Sequence, residues 1–237
     1  MEFKIGFDNS FLNNFRENTS TLQRFKQILI YIIVAIFSSF TILMAAMILH
    51  SRLDFFDLSQ PHQFLFGKEK YFYIYLPALY GHLLTSSFIL ILGLFSMFKF
   101  IRNRWMNLHR WIGRIYVLLT LIISAPCGFI MALYAMHSLN IQICFALLAL
   151  AWWWTTWKGY RNIRAGDIIK HQHWMLRSFA LAFSAISLRL YTFLLIEFAD
   201  YSHYDAYLIS SWNSWIGNLI LVEIYWTISR TSIPKRA

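Results

Sequence analysis

The hydrophobic pattern is a series of apolar runs separated by short polar and basic stretches, and a helix that crosses a bilayer needs about 20 predominantly apolar residues. Six segments qualify: Gln27–Leu49, Pro77–Phe98, Trp111–Met136, Ile141–Trp157, Trp174–Phe198 and Tyr207–Ile228. The fifth carries Arg177, Arg189 and Glu197, and the sixth carries Asn213, Asn218 and Glu223. Both are therefore expected to turn part of their surface toward protein rather than lipid. The pattern predicts an all-α, polytopic integral membrane bundle of about six transmembrane helices.

Composition agrees with that reading. Of 237 residues 58% are hydrophobic and only 14% charged, with mean hydropathy +0.49, whereas soluble domains carry roughly 25% charged residues. Disorder, collagen and coiled coil are excluded on the same ground. Cys127 and Cys144 lie inside apolar runs and suggest neither a disulfide framework nor a metal knuckle. Counted from the turn near Ser138, their axial offset is roughly 8 Å at about 1.5 Å per residue, beyond the Cα separation of about 4.4–6.8 Å that a disulfide accepts. They are expected to stay reduced.

Charge sets the orientation. The formal net charge of +10 would suit nucleic acid if it formed one patch, but the basic residues cluster between apolar runs, which points to a lipid surface and to no nucleic-acid partner. Of 21 Lys and Arg, 17 fall on one side of the expected spans, three in the opposite loops, and Arg189 alone deep inside a span. The positive-inside rule places both termini in the cytoplasm and the protein in a bacterial inner membrane. Residues 1–26, with Phe7, Phe11 and Phe15 at four-residue steps, read as a cytoplasmic amphipathic segment or a tail. Residues 27–228 form the membrane domain and 229–237 a basic cytoplasmic tail. Ser51–Leu76 is expected along the outer interface. Trp152, Trp153, Trp154, Trp157 and Tyr160 read as an aromatic belt or a ligand platform.

The candidate chemistry is carried by a few polar residues. His50, His62, His137 and His203 fall at outer span ends or in outer loops; His82 falls within the second span; His109, His171 and His173 precede the third and fifth. His82 shares a helical stripe with Ser86, Ile89, Gly93 and Ser96, which matches a stripe through Gly113, Thr120, Ser124 and Gly128 and another through Ala180, Ser184 and Ser187. Such stripes form either ordinary helix seams or a lined cavity. Arg189 lies at a depth comparable to His82, with Glu197 eight residues on. The three could build a buried polar site or a structural ion pair. Trp111-Ile-Gly-Arg114 and Trp174-Met-Leu-Arg177 both open spans just after histidines and echo one another.

Two longer segments carry a resemblance. Leu108-His-Arg-Trp-Ile-Gly-Arg-Ile-Tyr116 and His171-Gln-His-Trp-Met-Leu-Arg-Ser178, with Leu188-Arg189, His82, Gly93 and the run Trp154-Thr-Thr-Trp-Lys-Gly-Tyr160, resemble the bacterial integral-membrane family "domain of unknown function 2306" over roughly residues 75–200. The first and sixth spans lie outside the part that can be matched. The resemblance implies a membrane protein and directs attention to His82, His109, Arg110, Gly113 and Arg114, and to His171, Trp174, Arg177 and Arg189. It brings no activity with it.

Two function classes remain open. One is a membrane redox protein that binds b-type haem or a quinone, with His109 and His171 as the haem-iron ligands. The other is a non-redox binding or transport protein. In that reading His109, Arg110, Arg114, His171 and Arg177 form a basic pocket for an anionic lipid or small anion, continued outward by Arg189 and His82. No nucleotide-binding loop, HExxH site or Ser/His/Asp order is present.

Overall fold

The computed structural model describes residues 69–135 and 138–231 and, from the first expected span, Leu43 alone. The N-terminal segment 1–26, the rest of that span, the following loop to residue 68, His137 and the end of the basic tail lie outside the described residues, and with them His50 and His62.

Among the described residues every regular element is helical. A 3-10 turn, Glu69–Tyr71, leads into α1 (Phe72–Met97), and the short α2 (Lys99–Arg104) follows. Next, α3 (Met106–Leu118), a π-helical segment (Leu119–Ser124) and α4 (Ala125–Leu133) run on as one crossing. The bundle continues with α5 (Leu139–Arg164), α6 (Ile168–Ala199) and α7 (His203–Thr231). Four crossings, Phe72–Met97, Met106–Leu133, Leu139–Arg164 and Ile168–Ala199, are long and apolar enough to span a membrane. They correspond to the second to fifth expected spans, each longer than expected because the helices continue into the polar interface.

The sixth expected span is helical over 29 residues but too polar to meet the same measure. Its pattern explains why. Ser210, Ser211 and Ser214 are at most 1% exposed, whereas Ile220, Leu221, Ile224 and Ile228 are 51–61% exposed. Polar residues inside and aliphatic residues outside is the arrangement of a helix that packs polar groups against a neighbour and faces lipid. α7 lies mainly along α6, joined by Asn218 Nδ2, which donates to the Ala180 carbonyl at 3.0 Å, and by Ser187 Oγ, which donates to Asn218 Oδ1 at 3.1 Å.

Short connections force antiparallel neighbours. α5 ends at Arg164, and Gly166 just beyond it has a φ of 80°, the left-handed conformation glycine adopts freely; the Asp167 amide reaches back to the Asn162 carbonyl at 3.0 Å, closing the last turn. Asp167 then caps α6 by accepting from the Lys170 amide at 2.9 Å. The core lies between α1, the α3–α4 crossing, α5 and α6, around Ile89, Tyr116, Trp152, Leu181 and Ile186. Cys127 and Cys144 are both free thiols.

The π segment leaves one carbonyl to be satisfied from another helix. Pro126 has no amide proton, so an i→i+5 ladder leaves the Leu121 carbonyl without its partner. Trp153 Nε1 donates to that carbonyl at 3.2 Å. Such segments occur frequently at functional sites.

Candidate functional site

The basic ends of four crossings meet at one end of the bundle. Chain reversals at α2 and at Gly166–Asp167 leave Lys99, Arg102, Arg110, Arg114, Lys158, Arg161 and Arg177 toward the same end of the crossings. Trp side chains one helical turn away hold several of these cations: Arg114 lies 5.4 Å from the Trp111 ring centroid, Lys158 4.8 Å from Trp154, Arg161 5.9 Å from Trp157 and Arg177 4.4 Å from Trp174. Indole beneath a cation suits the headgroup region, where one end of the side chain is apolar and the other wet. The two echoing WxxR segments thus do the same local job.

Inside this rim lie His109 on α3 and His171 on α6. The His171 Nδ1 proton is donated to the Gly159 carbonyl of α5 at 2.9 Å, which fixes the tautomer and leaves Nε2 with its lone pair. Gly159 permits the approach: a Cβ there would lie 2.6 Å from Met175 Sδ. His109 stands within electrostatic reach of His171, and Arg102 within reach of both. His109 Nδ1 is buried and has no hydrogen-bond partner.

The other expected site residues go elsewhere. Arg177 is consumed by α7: its Nε and Nη2 donate to the two Glu223 carboxylate oxygens at 2.6 and 2.9 Å. His173 Nε2 contacts the same carboxylate at 3.1 Å, and its ring stacks on Trp226 with 4.3 Å between centroids. Arg110 and Arg114 are exposed on the rim, and Trp174 underlies Arg177. The five-residue basic pocket expected from the sequence is therefore not assembled as one. His171 and Arg177 leave α6 on different faces, one toward α5 and the other toward α7.

The expected grouping of His82, Arg189 and Glu197 does not form either. His82 Nδ1 donates to the Ser124 carbonyl at 2.8 Å, at the end of the π segment, and lies 3.4 Å from Ser124 Oγ. A Cβ on Gly128 would come within 3.0 Å of the ring. Arg189 Nη1 donates to the Ala185 carbonyl at 2.6 Å and faces Tyr207 of α7, while Glu197 is exposed. Equal depth did not mean a shared face.

Sequence reading missed a buried hydroxyl cluster. Tyr116 Oη lies 2.9 Å from Ser178 Oγ, which lies 2.7 Å from Thr156 Oγ1. All three are at most 1% exposed. A usable signal was present: Tyr116 and Ser178 each follow a site histidine by seven residues, two helical turns, on the same face. Trp152, expected in the belt, is 6% exposed and stands edge-on to His82 at 6.5 Å; only its neighbours reach the rim.

Apolar crossings, an inside-polar α7 and a rim of paired indoles and cations define an integral membrane protein of the all-helical, multi-pass class, whose surroundings are a lipid bilayer. The chain belongs to the family described as Predicted membrane protein (DUF2306), which it matches over residues 79–226. The match runs well into α7, so the sixth span belongs to the family region, contrary to the narrower limits drawn from the motifs. No curated protein and no solved structure matches the chain.

Proposed function

We propose that the protein is a membrane redox protein that holds one b-type haem at its basic end, with His171 and His109 as the axial ligands. The observation that carries this reading is the hydrogen bond from His171 Nδ1 to the Gly159 carbonyl. Metal-ligating histidines characteristically donate their second ring nitrogen to a carbonyl or carboxylate, which orients the ring and makes Nε2 a better ligand. The donor set fits a haem better than a bare ion. Among the described residues no three His, Cys, Asp or Glu side chains come together, and a haem iron needs only two protein ligands because the porphyrin supplies the rest. Arg102, within electrostatic reach of both rings, provides a guanidinium for the propionates. When bound, the group would supply one-electron chemistry; the chain's own part is to hold and orient the imidazoles.

The rival basic-pocket reading loses support because Arg177, which was to provide bidentate contacts, already has a carboxylate. The same distribution of 17 basic residues on one side supports placing this end at the cytoplasmic face of a bacterial inner membrane, with both termini there.

The test is the absorption spectrum of the protein purified in detergent after expression with haem precursor. A Soret band is expected in the wild type and should be lost in His171→Ala and in His109→Ala, with membrane insertion unchanged. Absence of the band from the wild type refutes the haem. Binding of a quinone analogue, or of vesicles containing an anionic lipid, then identifies which other ligand the two rings and Arg102 serve.

A further inference from the structure

We propose that the outward face of α5 binds one anionic phospholipid of the leaflet at the basic end, its phosphate held by Lys158 and Arg161 on a strip of aromatic rings. The site does not rest on the haem reading, because it lies on the far side of α5 from the Gly159 carbonyl that receives His171. The helix has two distinct faces. Trp152, Thr155, Thr156 and Gly159 are buried against the bundle. Leu147, Leu150, Trp154, Tyr160 and Arg161 are exposed and, at about 100° per residue, fall together on the opposite side. From Leu147 to Arg161 is fourteen residues, about 21 Å at about 1.5 Å per residue. One leaflet's share of the hydrocarbon core is about 15 Å, so the stripe reaches from that core into the headgroup region. It runs from aliphatic through aromatic to cationic, the order of acyl chain, glycerol and phosphate in a phospholipid.

The polar end of the stripe is held in place by its own contacts. Trp153 is fixed by its bond to the Leu121 carbonyl. The Trp157 ring stacks with that of Trp153 at 6.0 Å and 20°, and Tyr160 follows at 6.4 Å from Trp157. Lys158 lies over Trp154 and Arg161 over Trp157. Three residues apart, the two cations are neighbours on the helix surface, with about 5–6 Å between their Cβ atoms. A guanidinium laid on a ring keeps its in-plane N–H donors for phosphate oxygens, and the lysine adds a compact charge with three donors. Side chains already held in this way lose less freedom on binding than free ones.

Charge decides the occupant. Among the described residues neither Lys158 nor Arg161 has a carboxylate partner: Asp167 pairs with Lys170 at 2.9 Å, and Glu223 with Arg177. An interfacial anchor needs only an indole at headgroup level. Two cations without carboxylates, on joined rings above an aliphatic stripe, call for a ligand that is anionic at one end and apolar at the other. A zwitterionic lipid carries its own cation and complements the pair less well. A water-soluble anion would match the cations but gain nothing from Trp154, Leu150 and Leu147.

The test follows the melting temperature of the delipidated full chain in detergent as phosphatidylglycerol, phosphatidylcholine or inorganic phosphate is added, and native mass spectra count the lipids retained. Phosphatidylglycerol should stabilise the wild type with one molecule retained, and the other two should not. Each cation beside an anionic headgroup should change binding about fivefold, so the double variant Lys158→Gln, Arg161→Gln should need roughly thirtyfold more phosphatidylglycerol. Arg110→Gln with Arg114→Gln removes the same charge from α3 and should leave the midpoint in place. Equal stabilisation by phosphatidylcholine or by inorganic phosphate, or an equal loss in both double variants, overturns the site. So does a phosphatidylglycerol effect that His171→Ala removes and the α5 double variant keeps, which would assign the lipid to the interior. If the α5 double variant is not recovered, Arg161→Gln alone decides, and an unchanged midpoint overturns the site. A wild type without a Soret band removes the haem and leaves this site standing; a Soret band without preference for phosphatidylglycerol does the reverse.

Discussion

The Gly159 carbonyl accepts the Nδ1 proton of His171, twelve residues further along the chain, at 2.9 Å. The bond ties the last turns of α5 to the first turn of α6 and rests on a glycine that makes room for Met175. Gly159→Ala should therefore disturb the site as well as the packing. The new methyl would meet Met175 Sδ at 2.6 Å. Because the thioether can swing aside, the cost should be near the lower end of the roughly 1–3 kcal/mol typical of overpacking. A lower melting temperature in detergent together with a shifted or weakened Soret band is expected; an unchanged melting temperature would show that α5 and α6 are not held as described.

Arg177 and Glu223 form the ion pair that fastens α7 to α6. The Glu223 side chain is 45% exposed, so solvent screens the pair and its coupling should be about 1 kcal/mol despite the bidentate geometry. Thermal denaturation of Arg177→Ala, Glu223→Ala and the double variant measures that coupling. Additive losses would mean that the two side chains act independently.

Arg189 has no carboxylate partner among the described residues; it donates to the Ala185 carbonyl and faces Tyr207. A guanidinium at the centre of a membrane helix costs about 2.5–3.5 kcal/mol on insertion scales. Replacing it by methionine removes that cost and keeps much of the volume. The melting temperature of Arg189→Met should be equal to or above that of the wild type. A loss as large as that of Glu223→Ala would identify Arg189 as a structural anchor.

Topology can be read directly. Reporter domains fused to either terminus should report the cytoplasm, since each end adjoins basic clusters on the crowded side of the charge distribution. A periplasmic signal from either fusion would reverse the orientation proposed for the haem.

The amino-acid sequence determined the crossings, their order and the end at which the cations gather. Hydropathy and charge are properties of each residue taken alone, and summed along a run they need no knowledge of neighbours. It also marked the Trp–Arg anchors, because residues three or four apart on a helix meet whatever surrounds them. Only the tertiary structure decided which face of each helix meets which neighbour. His171 and Arg177 both belong to the basic end of α6, yet six residues turn a helix by about 120° net, so one ring reaches the Gly159 carbonyl while the guanidinium reaches Glu223. Trp152, Trp153 and Trp154 are consecutive and alike, but successive side chains diverge by about 100°. They part toward His82, the Leu121 carbonyl and Lys158. Depth is written along the chain; azimuth is set by packing, and in this protein the partners of the polar groups depend on azimuth.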